Sequence, residues 1–440
     1  MRFQLDDLAK VVGGELVGVS VVVVGLSSDS RLIGDGGLFV ALQAERDGHD
    51  FVGAARSNGA SAYLGTRRVD DGPAVLVTDA NSALVTIGRM ARERLKASAA
   101  DRVIGITGSV GKTSVKDLTA AALRTHYPLV AASERSFNNE IGLPLTLANA
   151  PDGAQAVVVE MGMRGFGQIA ALCEIARPNI GVITNIGVAH GEFVGGPDGI
   201  AKAKSELVEA LPHNGFAIVP AGDTYIGYLR QRTKAAVVTF GAMQGDVRVS
   251  DVRLDEDLRP TFLLDSPWGS AEVTLAMSGA HMAINAAAAV ATVGVAGVPF
   301  DAAVHGVSTA SLSPWRMEVR RSPDGALIIN DAYNANPVSM AAALHSLAAA
   351  PATRRVAIVG LMAELGGDPA QAHLEIAALA TSLDIELIVV GCDWYGVAPK
   401  SNPLEALGTL DANAAVLVKA SRSVGLEKIA AQLLDPERAV

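Results

Sequence analysis

Short apolar runs alternate with longer stretches of helical periodicity along most of the chain. Between residues 99 and 311 the apolar runs cover 103–107, 156–160, 180–185 and 216–219. Apolar runs of this length predict buried strands, and helical stretches between them predict parallel strands joined by helices. A β-rich stretch at about 247–277 interrupts the alternation before a helix at 281–295. The pattern is typical of a doubly wound α/β sheet.

Similar alternation on both sides predicts three α/β units. Residues 1–98 hold short strands at 21–26, 37–42 and 74–77 and a connecting helix at 82–96. From about 312 onward, strands are predicted at 326–330, 355–359, 386–390 and 415–418, with helices at 337–349, 371–383 and 423–434. We therefore predict an α/β protein with domains at 1–98, 99–311 and 312–440, which we name the first, second and third segments.

Composition narrows the class of protein. The chain has 440 residues, and a chain of this length is too long to fold around a single hydrophobic core. Half of its residues are hydrophobic. A net charge of −10 argues against a nucleic-acid surface, and no apolar stretch is long enough to predict a membrane span. Cys173 and Cys392 are far apart, so neither a disulfide framework nor a CxxC metal site is indicated. We expect a cytoplasmic protein with no nucleic-acid or membrane partner.

A glycine-rich loop between the strand at 103–106 and a helix at 114–124 is the strongest chemical signal. Backbone N–H groups of such a loop surround phosphate oxygens at a helix N-terminus, while its lysine adds a charge and its hydroxyl reaches Mg²⁺. Ile106 replaces the first glycine of the full Walker motif, which leaves the shorter form. The alternative is an ordinary glycine-rich turn. The order of strand, loop and helix favours nucleotide binding by Thr107, Gly108, Ser109, Val110, Gly111, Lys112 and Thr113.

Three further residues carry candidate chemistry near predicted strand ends in the second segment. Glu160 ends an apolar strand, where its carboxylate can reach a phosphate-bound Mg²⁺; the alternative is a helix-capping or surface acid. His190 follows the strand at 182–185, although a lone histidine is more often structural. Lys204, taken alone, predicts a solvated lysine on a helix face.

Polar clusters elsewhere suggest substrate contacts. Asn138 and Asn139 precede a predicted helix, where their alternative role is capping. Asp331, Tyr333 and Asn334 follow a strand and suit ribose or substrate recognition, although turn chemistry explains part of this pattern. Arg316 opens the third segment and is either a phosphate ligand across a cleft or an ordinary surface arginine.

Taken in order, these motifs resemble the Mur ligase family, the ATP-dependent peptide-adding enzymes of bacterial cell-wall precursor synthesis. The resemblance runs from end to end of the chain. Its motifs are Asp29-Ser30-Arg31, Gly48-His49-Asp50-Phe51, the loop from Thr107 to Thr113, Asn138-Asn139-Glu140, Glu160-Met161-Gly162, Asp331-Ala332-Tyr333-Asn334, Met362-Ala363-Glu364-Leu365-Gly366 and Val418-Lys419-Ala420-Ser421-Arg422-Ser423.

The resemblance implies a function for each segment. The first resembles a small UDP-binding domain, the second a P-loop ATPase domain, and the third a Rossmann-like ligase domain that binds the incoming dipeptide. The implied reaction joins D-alanyl-D-alanine to UDP-N-acetylmuramoyl-tripeptide (UDP-MurNAc-tripeptide) through an acyl phosphate, with release of ADP and phosphate. The ligase that adds the preceding residue carries an Asp-Asn-Pro-Arg motif, whereas this chain has Ser401-Asn402-Pro403-Leu404. This difference favours the dipeptide.

The resemblance also implies metal ligands and catalytic residues. Thr113 and Glu160 match ligands of a Mg²⁺ bridging the ATP phosphates, and Lys112 matches the phosphate-binding lysine. His190 matches a ligand of a second Mg²⁺. Lys204 matches a lysine that is carbamylated in several Mur ligases. We therefore predict catalytic roles for Lys112, Glu160, His190 and Lys204.

Further positions match nucleotide and substrate contacts. Asn285 matches an adenine-contacting asparagine, although Ala280 and Met282 depart from the residues the family often has there. Arg316 and Asp331 resemble residues that close over phosphate and ribose. We predict that the UDP substrate or the dipeptide contacts Ser30, Arg31, Asn138, Asn139, Tyr333 and Asn334.

Two alternatives remain open from the sequence. One is another amide ligase of the same superfamily, such as a folylpolyglutamate synthetase-like enzyme, which the match to a UDP-binding first domain argues against. The other is a non-enzymatic nucleotide-binding subunit, which would be expected to have lost Glu160, His190 or Lys204. We expect a monomer whose third segment closes onto the second.

Overall fold

The computed structural model describes residues 1–134, 137–187, 194–363, 365 and 368–435. Strands and helices alternate through all of these residues, which confirms the α/β prediction. His190 lies outside the described residues, as do Glu364 and Gly366 of the Met362 motif.

The first segment combines short strands with a long connecting helix. Its strands are β1 (Arg2–Gln4), β2 (Glu15–Val17), β3 (Val22–Val24), β4 (Leu26–Ser27), β5 (Leu38–Val40), β6 (Ala62–Gly65) and β7 (Ala74–Leu76). Its helices are α1 (Leu5–Val12), α2 (Val52–Ser57), α3 (Ala80–Arg94) and α4 (Lys96–Ala99), with a 3-10 turn at Gly48–Phe51. In the described residues β1 pairs with β3, and a second sheet has the order β2-β7-β6-β5-β4.

The second segment is built on one large sheet. Its strands are β8 (Val103–Thr107), β9 (Val130–Ala132), β10 (Ala156–Glu160), β11 (Ile180–Ile183), β12 (Phe216–Pro220), β13 (Ala236–Ala242), β14 (Val247–Leu254), β15 (Pro260–Ser266) and β16 (Gly269–Thr274). Its helices are α5 (Lys112–Arg124), α6 (Gly142–Ala148), α7 (Gln168–Ala176), α8 (Pro197–Glu209), α9 (Ile226–Arg232), α10 (Met282–Val295) and α11 (Phe300–Thr309).

The third segment repeats the layered plan at smaller scale. Its strands are β17 (Glu318–Arg321), β18 (Leu327–Asn330), β19 (Arg354–Val359), β20 (Glu386–Val389) and β21 (Ala414–Lys419). Its helices are α12 (Pro337–Ala348), α13 (Pro369–Ser382), α14 (Pro403–Leu407) and α15 (Glu427–Leu434). Over the described residues its sheet has the order β17-β18-β21-β19-β20, with β17 antiparallel to β18 and the other neighbours parallel.

Strand order in the second segment places the phosphate loop at a switch point. The described strands run β16-β15-β14-β13-β12-β11-β8-β10-β9, so β8 lies between β11 and β10. Alternate side chains of β8 face opposite layers: Val103 belongs to the hydrophobic cluster that includes α3, α6 and α7, and Ile104 to the cluster that includes α5 and α10. Burial on both faces explains the continuous apolar run. Ligands of such sheets bind beyond the carboxyl ends of strands at a switch point.

The predicted β-rich stretch interrupts the alternation as expected, because β14, β15 and β16 follow one another without a helix. They extend the large sheet, since β14 pairs in parallel with β13, and β15 and β16 follow as antiparallel neighbours. One predicted element differs from the structure. The last predicted helix begins at Glu427 rather than near residue 423. A 3-10 turn at Arg422–Val424 and the left-handed Gly425, with φ of 75°, separate it from β21.

Specific contacts join neighbouring segments. The side-chain amide of Asn149 accepts a hydrogen bond from Leu26 N at 2.7 Å and donates to Leu26 O at 2.8 Å, which links the second segment to the first. Leu258, in the turn between β14 and β15, is fully buried in the hydrophobic cluster of the third segment beside Met317 and Leu327. The large sheet thus supplies a core residue to the segment that follows it.

Within the described parts of the chain, the helices are all too short or too polar to cross a membrane.

The buried position of Leu258 generates a stability prediction. Leu258→Ala is expected to lower the free energy of unfolding by about 3 kcal/mol, because it opens a cavity in the third-segment core. Leu263→Ala on β15 is the matched control, since Leu263 is 42% exposed, and its effect should be below about 0.5 kcal/mol. Urea denaturation measures both. Equal effects of the two substitutions would contradict the placement of Leu258.

Candidate active site

A cavity of about 1330 Å³ lies between the second and third segments. On one side it meets the loops after β8, β10 and β11, and on the other side the loops after β18, β19 and β21. Strand ends from both sheets therefore face one space. Many of the predicted site residues line it: Gly108, Ser109, Val110, Gly111, Lys112, Thr113, Asn138, Asn139, Glu160, Lys204, Asn285, Arg316, Asp331, Tyr333 and Asn334.

Glycines allow the loop after β8 its sharp path. Gly108 has a φ of 150°, and a Cβ there would stand 1.8 Å from Thr184 Oγ1. Gly111, the residue just before α5, has a φ of 82°. Lys112 Nζ donates to Gly108 O at 2.7 Å, so the lysine side chain folds back along the loop. Side chains cannot replace either glycine without strain.

Two residues that the sequence analysis missed hold this loop. Asn185 Oδ1 accepts hydrogen bonds from Ser109 N and Val110 N, each at 3.0 Å. Thr184 Oγ1 donates to Val110 O at 2.5 Å. Both residues follow β11, the neighbour of β8. Their signal in the sequence was a polar pair after an apolar strand, which we interpreted as part of the strand end.

The hydroxyl of Thr113 is a meeting point of the two segments. Thr113 Oγ1 donates to Glu160 Oε2 at 2.7 Å, and Arg316 Nη2 donates to Thr113 Oγ1 at 2.8 Å. Thr113 and Glu160 are each 2% exposed. Three residues separated widely in sequence therefore meet where the phosphate loop enters α5. The arginine reaches this point from the start of the third segment.

Hydrogen bonds fix Glu160 at the end of β10. Asn138 Nδ2 donates to Glu160 Oε1 at 3.1 Å, and Glu160 N donates to Ser133 Oγ at 3.2 Å. Buried Lys116 Nζ donates to Ser133 O at 2.8 Å. Asn138 thus contacts the carboxylate, whereas Asn139 Oδ1 accepts from Gly142 N, the first N–H of α6, at 2.9 Å. The capping alternative accounts for one of the two predicted asparagines.

Lys204 is buried, whereas its helical position taken alone predicts a solvated lysine. It lies on α8, is 1% exposed, and lines the cavity. Burial lowers the pKa of its ammonium well below the usual range, and the nearby charge of Lys112 lowers that pKa further. A lysine in this environment holds its amine in the neutral, nucleophilic form more readily than a surface lysine does.

A buried ion pair organises the wall contributed by the third segment. Lys419 Nζ lies 2.5 Å from Asp331 Oδ2 and donates to Asn334 O at 2.8 Å. Asp331 Oδ1 accepts from Met317 N at 3.0 Å, next to Arg316. The guanidinium carbon of Arg316 lies 4.0 Å from the ring centroid of Tyr333. Stacking and backbone contacts together direct Arg316 toward the second segment. Lys419 stands in one of the family motifs, but no role was predicted for it, because a lysine at a strand end gives no sequence signal of burial.

The start of α10 forms the remaining side of the phosphate loop. Asn285 Oδ1 would lie 2.9 Å from a Cβ placed on Gly111, so its amide faces the loop closely. Its Nδ2 is 3.4 Å from Met282 Sδ. His281 also lines the cavity, and its buried Nδ1 has no hydrogen-bond partner among the described residues. An unpaired ring nitrogen here fits a site for a polar ligand group.

Some predicted site residues lie elsewhere. Ser30 and Arg31 belong to the first segment and are not among the residues that line this cavity. Arg31 Nη2 pairs with Asp29 Oδ2 at 2.6 Å, and the Arg31 side chain is 83% exposed. Ser30 O accepts from Asn58 Nδ2 at 2.9 Å. His190 lies outside the described residues, so its role stays a prediction.

The oxygens at Thr113 suit a hard divalent cation. The hydroxyl oxygen of Thr113 and a carboxylate oxygen of Glu160 lie 2.7 Å apart, and oxygen atoms of both kinds serve as Mg²⁺ ligands. Across the described residues, no group of three or more His, Cys, Asp and Glu side chains could hold a metal ion. A cation held by one carboxylate and one hydroxyl fits a site that phosphate oxygens and water complete, which is the usual arrangement for Mg²⁺.

Comparison with known proteins identifies the family. The profile of the Mur ligase middle domain matches residues 106–293, and that of the Mur ligase, glutamate ligase domain matches residues 315–435. UDP-N-acetylmuramoyl-tripeptide–D-alanyl-D-alanine ligase of Mycobacterium bovis is 40% identical over 430 residues, covering 89% of this chain and 83% of the relative. The chain belongs to the Mur ligase family. The family resemblance inferred from the motifs is thereby confirmed.

Solved Mur ligases share the fold over nearly the whole chain. A crystal structure of MurF from Acinetobacter baumannii superposes with a TM-score of 0.86 and 29% identity, covering 99% of both chains. MurF from Thermotoga maritima, solved in complex with ADP, has a TM-score of 0.79 and 27% identity, covering 94% of this chain and 97% of that one. These matches confirm the three-part α/β fold expected of this Mur ligase.

Proposed function

We propose that this Mur ligase joins D-alanyl-D-alanine to UDP-MurNAc-tripeptide at the expense of ATP, forming the pentapeptide precursor of peptidoglycan. The relative from M. bovis bears this activity in its name and covers most of the chain. The observation that carries the proposal is that the Thr113 hydroxyl forms hydrogen bonds both to the buried carboxylate of Glu160 on β10 and to Arg316 of the third segment. Such an arrangement suits phosphoryl transfer between substrates held by different segments.

The proposed chemistry makes a carboxylate reactive toward an amine. The terminal carboxylate of the tripeptide attacks the γ-phosphate of ATP, which gives an acyl phosphate and ADP. The amine of the dipeptide then attacks the acyl carbon, and the tetrahedral intermediate collapses to an amide and inorganic phosphate. Because acyl phosphates hydrolyse readily, the residues around the cavity must exclude water and align the reactants.

Lys112 and Arg316 are placed to stabilise the charge that develops on the transferred phosphoryl group. Lys112 begins α5 at the phosphate loop, and Arg316 reaches the same helix start from the third segment. Positive charge at a helix N-terminus is favourable for phosphate. Thr113 and Glu160 would hold a Mg²⁺, which supplies Lewis-acid stabilisation of phosphate oxygens when bound.

Lys204 is proposed to hold a second Mg²⁺ as a carbamate, together with His190. Its burial and lowered amine pKa support this, because carbamylation needs a neutral amine that attacks carbon dioxide. The product replaces a buried neutral amine with a carboxylate-like anion, which is a suitable Mg²⁺ ligand. The nearby positive charge of Lys112 favours that anion.

The remaining predicted contacts divide among the segments. We propose that residues 1–98 bind the UDP-sugar end through Ser30 and Arg31, that 99–311 bind ATP with Asn285 at the adenine, and that 312–440 bind the dipeptide. In this proposal Asp331 contacts the ribose of ATP. The other predicted contact residues line the same cavity and contact the UDP substrate or the dipeptide: Asn138, Asn139, Tyr333 and Asn334. The protein is proposed to act as a cytoplasmic monomer whose third segment closes during turnover.

The decisive test measures phosphate release by the purified protein with ATP, Mg²⁺ and UDP-MurNAc-tripeptide. Release is expected to depend on D-alanyl-D-alanine and to yield one pentapeptide per phosphate.

Arg316→Ala should lower kcat/KM by on the order of a hundredfold, since it removes one transition-state charge. Arg320→Ala is the control, because Arg320 is an exposed arginine nearby.

Other outcomes of this assay would redirect the assignment. Release that depends on diaminopimelate or lysine in place of the dipeptide would contradict the proposed amine. Dependence on a folate and glutamate would place the chain with the other amide ligases of the superfamily. Nucleotide binding without any turnover would favour the non-enzymatic alternative.

Carbamylation of Lys204 has its own spectroscopic test. Protein equilibrated with carbon-13 bicarbonate is expected to show a carbamate carbonyl signal that grows as the pH rises, because only the neutral amine reacts. Lys204→Arg should remove the signal, whereas Lys202→Arg should keep it, since Lys202 is exposed on the same helix. A signal that survives Lys204→Arg would assign the carbamate to another amine.

A further inference from the structure

His373 is a buried histidine that the proposed chemistry does not use. It lies on α13 in the third segment and its residue is fully buried. Its Nε2 is 2.9 Å from Met362 N, and its Nδ1 is 2.6 Å from Pro369 O. The ring meets Tyr395 and Trp394 edge-on, at centroid distances of 4.8 and 5.3 Å. Both ring nitrogens are therefore engaged, and two aromatic side chains pack against the ring.

The two backbone partners fix the tautomer of this ring. Met362 N–H is a donor, so Nε2 must accept, while Pro369 O is an acceptor, so Nδ1 must carry the proton. A protonated ring would place an N–H of Nε2 against the N–H of Met362. Burial also lowers the pKa of His373, against the hydrogen bond to Pro369 O that raises it. Geometry and solvation both favour the neutral ring.

Through Met362, the ring holds the turn that follows β19. Tyr395 Oη donates to Gly360 O at 2.8 Å at the start of this turn. Ala363 N donates to Ser421 Oγ at 2.8 Å at its far side, and Ser421 N donates to Leu361 O at 2.9 Å. Ala363 and Ser421 both line the central cavity. The side chain of His373 thus supports one wall of the cavity from behind.

The turn after β19 lies apart from the phosphate contacts along the edge of the third-segment sheet. Arg316 precedes β17, whereas Ala363 follows β19, and the strand order β17-β18-β21-β19 puts three strand spacings between them. With neighbouring strands about 4.8 Å apart, this is roughly 14 Å along the sheet edge. The backbone of the turn therefore lies well along the sheet edge from the backbone of Arg316. It suits the second substrate on the same face of the third segment.

We propose that His373 is a positioning residue for the incoming dipeptide, acting through the backbone of Met362 and Ala363. This inference rests on the proposed function, since it assigns one wall of the same cavity to the amine substrate. The ring itself does not touch the substrate. Its contribution is to hold the turn in one conformation, so that the dipeptide binds a wall that is already formed.

Two amide substitutions separate the two hydrogen bonds of the ring. In His373→Gln, the side-chain oxygen can reach the position of Nε2 and still accept from Met362 N–H. In His373→Asn, the shorter amide can replace Nδ1 and donate to Pro369 O, but it leaves Met362 N–H unpaired. Steady-state kinetics of the full chain then give kcat and a KM for each of ATP, UDP-MurNAc-tripeptide and D-alanyl-D-alanine. His345→Asn, at an exposed position on α12, is the matched control.

The expected result is a selective change. His373→Asn should raise the KM for the dipeptide roughly tenfold while the KM for ATP stays within about twofold, since the loss of one buried hydrogen bond falls on the turn alone. His373→Gln should keep the dipeptide KM within about threefold of the unsubstituted protein. Deuterium exchange of the segment around Met362 should rise in the Asn variant and not in the Gln variant.

Four outcomes would overturn the inference. Parallel changes of all three KM values in both variants would assign His373 a general structural role. An unchanged dipeptide KM in His373→Asn would mean that the turn does not serve this substrate. If the unsubstituted protein releases phosphate without any dependence on the dipeptide, the proposed function fails and this inference fails with it. Dipeptide dependence of the unsubstituted protein, with no selective effect of either variant, removes the inference alone.

Discussion

The site depends on one small group, the hydroxyl of Thr113, which receives a hydrogen bond from Arg316 and donates one to Glu160. Because the arginine belongs to the third segment and the carboxylate to the second, this hydroxyl can be shared only if the two sheets present their strand ends to each other. The insertion of Leu258 into the third-segment core and the ion pair between Asp331 and Lys419 serve the same alignment. A phosphoryl group bound here would be contacted from both sides.

Sequence reasoning predicts the features that depend on local pattern. Strands buried on both faces must be apolar throughout, so β8 and β10 were visible as apolar runs, and their polar last residues marked the ligand edge. The glycines of the phosphate loop were visible because the backbone there needs conformations that other residues resist. Glu160 followed from its place at a strand end. The family resemblance then assigned the order of the segments.

Features that depend on contacts between distant parts of the chain were not predictable. Asn185 holds the phosphate loop from the neighbouring strand, and Lys419 is buried by an ion pair whose partner lies 88 residues away. Lys204 has the sequence context of a surface lysine, and only the packing of α8 against the sheet shows that it is buried. Leu258 sits in a polar hairpin turn, where nothing local predicts a core residue. Such burial is set by tertiary packing.

The central claim is that the cavity activates a carboxylate by phosphoryl transfer before the amine attacks. The most direct measurement follows oxygen-18 placed in the terminal carboxylate of UDP-MurNAc-tripeptide during turnover with ATP and D-alanyl-D-alanine. An acyl phosphate requires that one labelled oxygen per turnover leave with inorganic phosphate, which mass spectrometry detects. Phosphate free of the label, formed at the same rate as the pentapeptide, would contradict activation of the carboxylate and with it the assigned chemistry of the site.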